Sequence, residues 1–368
     1  MHVVRPLHPT PQETRVTLTR RTFRSTPLFL AVLCTPFAAA AQSTGSVTVY
    51  GLVDVAVRRA TNVTAAGNSD TSMDDGTFTG SRLGFRGRED LGGGLAAVFT
   101  MEHGFDPSTG TPLQGSATAD YGQVQAPTRF WGRQVFMGLS APYGSVLFGH
   151  QYTLAHAVAA RFQPQGNPNN LALSIFSSHH IARQDNLMRV DGKVAGVEVS
   201  VSKTFGEVAA NDGSDAWALS ATWTSGPVFV GGYVQQMNNV SDTERRKIVG
   251  LGGNWKASPM FTFYGGAMRR TNAVSPQENT VWTLGANIEV LPEVTLSVAH
   301  LSDDQGGSSA LDGSRKVSYL SASYRFSKRT DIAATIDGNQ VKGGYAKPAF
   351  MGTTGDQTAF TVDVRHTF

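Results

Sequence analysis

Hydrophobic and polar residues alternate with a period of two along most of the chain. In the stretch SVTVYGLVDVAVR, residues 46–58, a valine or glycine stands at every second position, and Tyr50 and Asp54 are among the residues between them. Successive side chains of a strand point to opposite faces, so this pattern predicts β-strands. The same pattern returns in LAAVFTMEH, AWALSATWTS, PVFVGGYVQQM, KIVGLGGNWKA, MFTFYGGAMRR, VWTLGANIEV, VTLSVAHLSD, KVSYLSASYRF and AFTVDVRHTF.

Short and long connections alternate between these strands. Seven are short: DLGGG, APYG, VDGKVAG, SGP, ASP, LPE and SKRT; the segments between them are long and polar. Seven hairpins supply fourteen strands, and the first and last strands bring the count to sixteen. A tilted membrane-spanning strand needs about 10 residues. The pattern therefore predicts an all-β fold, a 16-stranded antiparallel transmembrane β-barrel with short periplasmic turns and long extracellular loops.

A soluble β-sandwich is the alternative fold, and it requires two sheets that each bury one face against the other. The regular alternation of connections and the aromatic strand ends favour the membrane instead. A sheet in lipid must close, because an open edge leaves backbone groups unpaired in hydrocarbon. Sixteen strands enclose a water-filled lumen rather than a packed core. A low content of charged residues, 16%, and 40 glycines agree with strands and turns.

The N-terminal segment differs from the rest. Arg20, Arg21 and Arg24 precede the apolar run 28–37 and a series of alanines. This order predicts a secretory signal peptide, residues 1–41, cleaved after Ala41, with a twin-arginine signal as the alternative. The mature domain is then residues 42–368. It keeps 26 of 31 basic and 27 of 28 acidic residues, a net charge of −1. The basic leader carries the charge excess, so nothing indicates nucleic-acid binding.

The chain ends on an aromatic residue, Phe368, that continues the apolar face of the last strand. In a closed barrel the last strand pairs with the first. We therefore expect Phe368 to lie at the periplasmic interface, among the aromatic residues that border the lipid.

Four stretches resemble the general trimeric porins of Gram-negative β-proteobacteria: VTVYGLVDVAV, SRLGFRGREDLGGGLAAVF, WGRQVFMGLSAPYGSVLFGHQY and the ending VRHTF. The resemblance extends from Ser46 to Phe368. It implies an outer-membrane channel, without enzymatic activity or cofactor, for passive diffusion of ions and small hydrophilic solutes. It also implies a homotrimer, contacts with outer-membrane lipid and lipopolysaccharide, and Phe368 as the signal read by the outer-membrane assembly machinery. The apolar, small-residue face of the first strand suits contact between subunits.

The resemblance further implies that the third long loop folds into the barrel and narrows it. The segment Thr153–Ile181, after the fifth strand, has that position; it contains Arg161 but no Asp or Glu. Opposite it, Arg82, Arg133 and Arg183 match the wall arginines of the family. Alternation independently directs Arg82 to the lumen. Arg133 shares its parity with apolar residues, so its lumen position requires a bulge or a subunit contact.

Four further residues are candidates for the pore. Arg86 shares the face of Arg82, and His150 stands where many relatives carry arginine. Asp54 and Glu102 have lumen parity and are candidate acids that would offset part of the arginine charge if they lie at the same height, which the sequence does not fix. We expect a moderately anion-selective channel for inorganic anions and small solutes. A substrate-specific channel and an outer-membrane hydrolase on a barrel remain the alternatives.

Other motifs predict no further chemistry. The pair His179–His180 has no third ligand at metal-binding spacing, so we expect no metal site. Ser, His and Asp occur without a nucleophile-elbow motif. The glycines at 92–94 close a hairpin and are not followed by the helix and lysine of a phosphate-binding loop.

Overall fold

The computed structural model describes residues 45–116 and 120–368. The signal peptide predicted for residues 1–41 lies outside the described residues and stays a prediction. The described chain contains seventeen strands and two short helices. In order these are β1 Ser46–Ala60, β2 Asp70–Asp75, β3 Arg82–Gly92, β4 Leu95–Gly104, β5 Gln134–Ala141, β6 Gly144–Tyr152, α1 Leu154–Ala159, α2 Ser177–His180, β7 Arg183–Val194, β8 Val197–Thr204, β9 Ala216–Ser225, β10 Val228–Asn238, β11 Arg245–Lys256, β12 Phe261–Asn272, β13 Glu278–Leu291, β14 Val294–Gly306, β15 Gly313–Arg325, β16 Thr330–Gly343 and β17 Asp356–Thr367.

The strands form one closed antiparallel barrel. Each strand from β3 to β17 pairs with the next along the chain, and β17 pairs with β1 from Leu52↔Thr367 to Ala60↔Ala359. The terminal Phe368 N–H donates to Gly51 O at 3.0 Å, and Gly51 N–H donates to Phe368 O at 3.2 Å. The sheet therefore has no open edge, as a membrane barrel requires, and the predicted fold class is confirmed.

Strands β2 and β3 together form one of the sixteen wall strands. The first half of β1, residues 46–52, pairs with β3, and its second half, residues 55–60, pairs with β2. Between them residues 76–81, here called the inward segment, leave the wall towards the lumen. Phe78 of this segment is buried, and its ring lies 5.5 Å from the ring of Tyr319 on β15. The inward segment thus extends into the barrel interior and contacts a wall strand that is not its neighbour.

The outer face is apolar, and its rim near the short turns is aromatic. Leu251, Leu284 and Leu320 are about half exposed or more on this face. Exposed aromatic residues in or next to short turns include Tyr143, Trp223, Trp255, Phe261, Phe263, Tyr324, Phe326 and Phe368. Phe368 thus lies in a border of the kind that flanks the lipid-facing band of membrane barrels. No helix in the described ranges is long and apolar enough to cross a membrane.

The apolar core lies inside the barrel, where the third long loop packs on the wall. Phe162 and Phe176 of this loop are fully buried against Tyr233, Ile248 and Met268. A Cβ at Gly266 of β12 would lie 2.6 Å from the Phe162 ring, so the absence of a side chain allows the ring to lie against the wall. The inward-folded third loop is therefore confirmed.

Candidate pore constriction

A cavity of about 1360 Å³ lies between the third long loop, the inward segment and the wall, and it extends among the long loops. We call it the cationic chamber. Its charged lining consists of Asp74, Asp75, Arg82, Arg133, Arg183, Arg270, Arg315 and Lys347. Six cationic and two anionic side chains therefore face this section of the lumen.

Two of the arginines, Arg133 and Arg183, meet at the hydroxyl of Tyr152, at the end of β6. Nη2 of Arg133 donates to the Tyr152 hydroxyl at 2.8 Å, and Nη2 of Arg183 donates to it at 2.7 Å. The Arg183 guanidinium also lies 4.4 Å from the centre of the Tyr152 ring, a cation–π contact. Arg82 belongs to the same lining and donates from Nε to Gly80 O at 2.9 Å. The structure thus places in one lining the three arginines that the resemblance grouped.

Arg133 reaches the lumen without a bulge or a subunit contact. It lies one residue before β5, at the end of the second long loop, so strand alternation does not govern its direction. Its side chain is buried, and Nε donates to Glu102 Oε1 at 2.6 Å. Glu102 also accepts the Tyr50 hydroxyl at 2.9 Å. Glu102 therefore faces the lumen as its parity predicts, and it compensates Arg133.

His150 is not a pore residue, and its predicted place in the constriction is wrong. It pairs with Val135, which shares its parity with Met137 and Leu139 on the exposed outer face. The His150 ring contacts Asp185 Oδ1 at 2.8 Å and Gly132 O at 3.0 Å. The prediction depended on the resemblance alone; alternation along β6 from the exposed Phe148 indicates the outer face for His150.

Arg161 and Arg86 also lie outside the cationic chamber. The Arg161 guanidinium lies 4.0 Å from the centre of the Phe229 ring, near the short turn that precedes β10. Arg86 lies 5.0 Å from the Tyr50 ring centre and is exposed on β3, further from the long loops than Arg82. Neither residue lines the cationic chamber, which corrects their predicted place in the constriction. Arg86 lies on the same face of β3 as Arg82, as predicted, but nearer the short turn.

A second, smaller cavity of about 190 Å³ lies nearer the short turns, and we call it the acidic pocket. Its charged lining is Asp54, Glu289, Asp331, Asp363, Arg325 and Arg365. Phe78 and Gln165 line both this pocket and the cationic chamber, so the two cavities adjoin along the lumen. Asp54 has the predicted lumen orientation, but it lies in this pocket and not beside the arginines.

Comparison with known proteins decides the family. The model of the Gram-negative porin family matches residues 28–344. The chain belongs to the Gram-negative porins. An outer membrane porin protein of Bordetella pertussis is 26% identical, over 93% of this chain and 99% of the relative. The solved anion-selective porin from Comamonas acidovorans superposes with a TM-score of 0.73 at 22% identity, covering 88% of this chain and all of that chain. OmpT of Vibrio cholerae in its trimer form gives 0.63 at 13% identity, covering 88% and 99%.

This porin is therefore an outer-membrane channel for passive diffusion, and not an enzyme. The barrel provides the water-filled path, and the third long loop and the inward segment narrow it. Its function depends on the charge and width of that path, since a diffusion channel acts through its constriction and the field across it.

Several lining residues of the porin were not predicted from sequence. Arg315 donates from Nη2 to Leu171 O at 2.9 Å and to Ala172 O at 3.1 Å, and thereby holds the third long loop against β15. Arg270, Lys347 and Tyr152 also line the cationic chamber. For Arg315 and Arg270 the alternation of their strands indicates the lumen face. Nothing in the sequence indicates the loop carbonyls that Arg315 contacts.

The histidines of the third long loop have structural contacts, and His156 and His180 carry little charge. Nδ1 of His156 lies 3.1 Å from Nε2 of His180, and Nε2 of His179 lies 2.8 Å from Asp303 Oδ2. Burial lowers the pKa of His156 well below its ordinary value, and burial together with His179 lowers the pKa of His180 to about 3. Both rings are neutral at pH 7. In residues 45–116 and 120–368, no group of three or more His, Cys, Asp or Glu has metal-binding geometry.

Proposed function

We propose that this porin is a moderately anion-selective channel for small hydrophilic solutes and inorganic anions. The observation that carries the proposal is the imbalance of six cationic and two anionic side chains in the cationic chamber. The third long loop contributes no carboxylate to offset them.

The positive field in the chamber is only partly compensated. Glu102 pairs with Arg133, whereas Arg82, Arg183 and Arg270 form no ion pair with a carboxylate in the described part of the chain. Low-dielectric walls concentrate the potential of unpaired charges in a narrow cleft. A permeating anion is stabilised there, and a cation is repelled. The structural likeness to a porin described as anion-selective agrees with this proposal.

The test is the zero-current potential of the porin in a planar bilayer under a KCl gradient. We expect a sign that favours chloride, and a smaller potential for Arg82→Ala and Arg133→Ala. Arg161→Ala is the matched control, because Arg161 lies outside the chamber and its loss leaves the local field unchanged. The preference also weakens at high salt, because the Debye length falls to about 3 Å at 1 M. A cation-favouring sign, or arginine variants indistinguishable from Arg161→Ala, would refute the proposal.

We also propose that the channel is a homotrimer that contacts lipopolysaccharide and is inserted by the outer-membrane assembly machinery. Two observations support the trimer: a related fold occurs in a trimer form, and the outer face of β1 carries Val47, Val49 and Gly51, which allow close packing. Native mass measurement in mild detergent is the test. We expect three times the mass of one mature chain, and a monomer alone contradicts the proposal.

A further inference from the structure

The acidic pocket has more negative than positive charge. Four carboxylates and two guanidinium groups form its charged lining, an excess of two negative charges. Arg365 is already engaged, because it donates to Asp331 Oδ2 from Nη2 at 2.8 Å and from Nε at 3.1 Å. Most of the remaining negative charge belongs to Asp54, Asp363 and Glu289.

Asp54 is a buried carboxylate that is only partly satisfied. It is 1% exposed. Its Oδ2 accepts the Thr79 hydroxyl at 2.9 Å, but its Oδ1 is buried without a hydrogen-bond partner. Buried carboxylates are normally paired, hydrogen-bonded or bound to a metal, because an uncompensated buried charge is costly. The free oxygen of Asp54 therefore indicates a missing positive partner.

Asp363 stands beside Asp54 on the same face. In the β1–β17 pairing Asp54 is opposite Arg365 and Ala56 is opposite Asp363, so the two aspartates are diagonal neighbours. Diagonal pairs have Cα atoms about 7–8 Å apart, within reach of a shared ligand. Asp363 is 4% exposed, and its Oδ2 has no partner of good hydrogen-bond geometry; nor has the hydroxyl of Thr77 beside it.

The inward segment covers this pair. Gly76 N–H donates to Asp54 O at 3.0 Å. A Cβ at Gly76 would lie 2.1 Å from the Asp54 carboxyl carbon, so only glycine allows the backbone to approach so closely. Thr79 contacts both Asp54 and Arg365. Whatever binds between the carboxylates therefore also affects the position of the inward segment.

We propose that the acidic pocket binds one divalent cation, Ca²⁺ or Mg²⁺, between Asp54 Oδ1 and Asp363. These hard cations take carboxylate, hydroxyl and carbonyl oxygens, and they commonly keep several water ligands when only one or two carboxylates bind them. The pocket of about 190 Å³ has room for such waters, since one water occupies about 30 Å³. A charge of +2 also equals the excess negative charge of the lining. This site is independent of the selectivity proposed above.

The experiment uses the full barrel refolded without lipopolysaccharide, which itself binds divalent cations, and stripped with a chelator. Equilibrium dialysis with ⁴⁵Ca²⁺ at pH 7.5 should give one saturable site per chain. Asp54→Asn and Asp363→Asn should each weaken binding at least 10-fold. Asp74→Asn is the matched control, because Asp74 lies in the cationic chamber, and it should bind as the parent does. Folding of each variant is checked by its heat-dependent gel mobility.

A second readout needs no variant. Hydrogen exchange at the backbone amides of residues 76–81 should slow several-fold when Ca²⁺ is added to the stripped protein. The reason is that the cation holds the carboxylate of Asp54, which the inward segment contacts. The proposal is overturned if the parent protein takes up no Ca²⁺ above a detergent blank. It is also overturned if exchange is unchanged by Ca²⁺, or if both aspartate variants bind like Asp74→Asn. A proton shared by Asp54 and Asp363, in place of a cation, gives the first of these results.

Discussion

Gly51 is the residue at which the C-terminus closes the barrel. A Cβ there would lie 2.5 Å from Arg82 O and 2.5 Å from Phe368 Cζ. Because one of these neighbours is backbone in a paired strand, it has little room to move. We expect Gly51→Ala to destabilise the barrel by about 1–3 kcal/mol, the usual cost of overpacking. The temperature at which heat-dependent gel mobility changes should fall by several degrees.

The control for this prediction is Gly338→Ala on β16. A Cβ at Gly338 meets no atom within 4 Å, so this variant adds the same methyl group without a collision. Equal transition temperatures for the two variants would contradict the packing argument.

Single residues show where sequence reasoning succeeded and where it failed. Arg82, Asp54 and Glu102 have the predicted orientation because each lies in a regular strand, where direction alternates. His150 does not face the lumen, because it was predicted from the resemblance alone, and alternation along β6 places it on the outer face with Phe148. Arg133 lies in a loop, where parity has no meaning. Heights along the lumen depend on the register of the barrel, which is why the sequence leaves the level of Asp54 open and why Arg86 does not lie in the constriction.

At the scale of elements, the inward segment and the third long loop control the width of the lumen. Phe78 lines both cavities and is 7% exposed. Phe78→Ala removes a ring at the junction between the cavities, so we expect a higher single-channel conductance in 1 M KCl, by tens of per cent. Phe360→Ala is the control, because Phe360 lies on the outer face. A conductance equal to that of the control would exclude Phe78 from the narrow section.

The third long loop should respond to acid. The pKa of His156 and of His180 is lower in the docked loop than in a solvated one, so the solvated loop binds protons more readily. Docking is therefore most stable above about pH 6.5 and weakens as the pH falls towards the lowered values. For His180, with a pKa of about 3, the loss at pH 5 is about 2 kcal/mol. Arg133 and Arg183 add repulsion for a charged His156.

Hydrogen exchange of the α1 and α2 amides at pH 7 and pH 5, corrected for intrinsic rates, measures this effect. We expect at least 10-fold less protection at pH 5. His180→Asn should reduce the pH dependence, whereas His366→Asn, on the outer face of β17, should keep it. Protection that is the same at both pH values would contradict the neutral, buried state of the histidines.

The strands could be predicted from sequence, but one break in the wall could not. Residues 70–75 read as part of a polar loop, yet they form β2 and pair with β1. The alternation pattern requires one apolar face. A strand segment that extends beyond the lipid, as β2 does, contacts water on both faces and therefore lacks this pattern. The inward segment could not be predicted from the sequence for a related reason. Its direction is determined by contacts with the third long loop, such as Asn170 N–H to Thr77 O at 3.0 Å, and these partners are distant in sequence.

At the scale of the whole molecule, Phe368 closes the barrel, and we expect it also to promote insertion of the barrel into the membrane. Its backbone makes the last two hydrogen bonds of the β1–β17 pairing, and its ring is 48% exposed. We expect deletion of Phe368 to leave secretion intact but to slow barrel insertion several-fold. Pulse-chase labelling of heat-resistant oligomers measures the rate. Phe326→Ala, which removes another exposed aromatic from the same rim, should insert at the normal rate; if deletion of Phe368 does too, its proposed role is wrong.

The two charged cavities succeed one another along the lumen, the cationic chamber towards the long loops and the acidic pocket towards the short turns. Two regions of opposite fixed charge in series make an ion channel rectify, so that it passes more current in one direction than in the other. When the periplasmic side is positive, cations enter through the acidic end and anions through the cationic end, and both accumulate at the junction. Current of that polarity should exceed the reverse current in 0.1 M KCl. Rectification should vanish at 1 M salt, where screening is nearly complete, and should decrease when Ca²⁺ fills the acidic pocket.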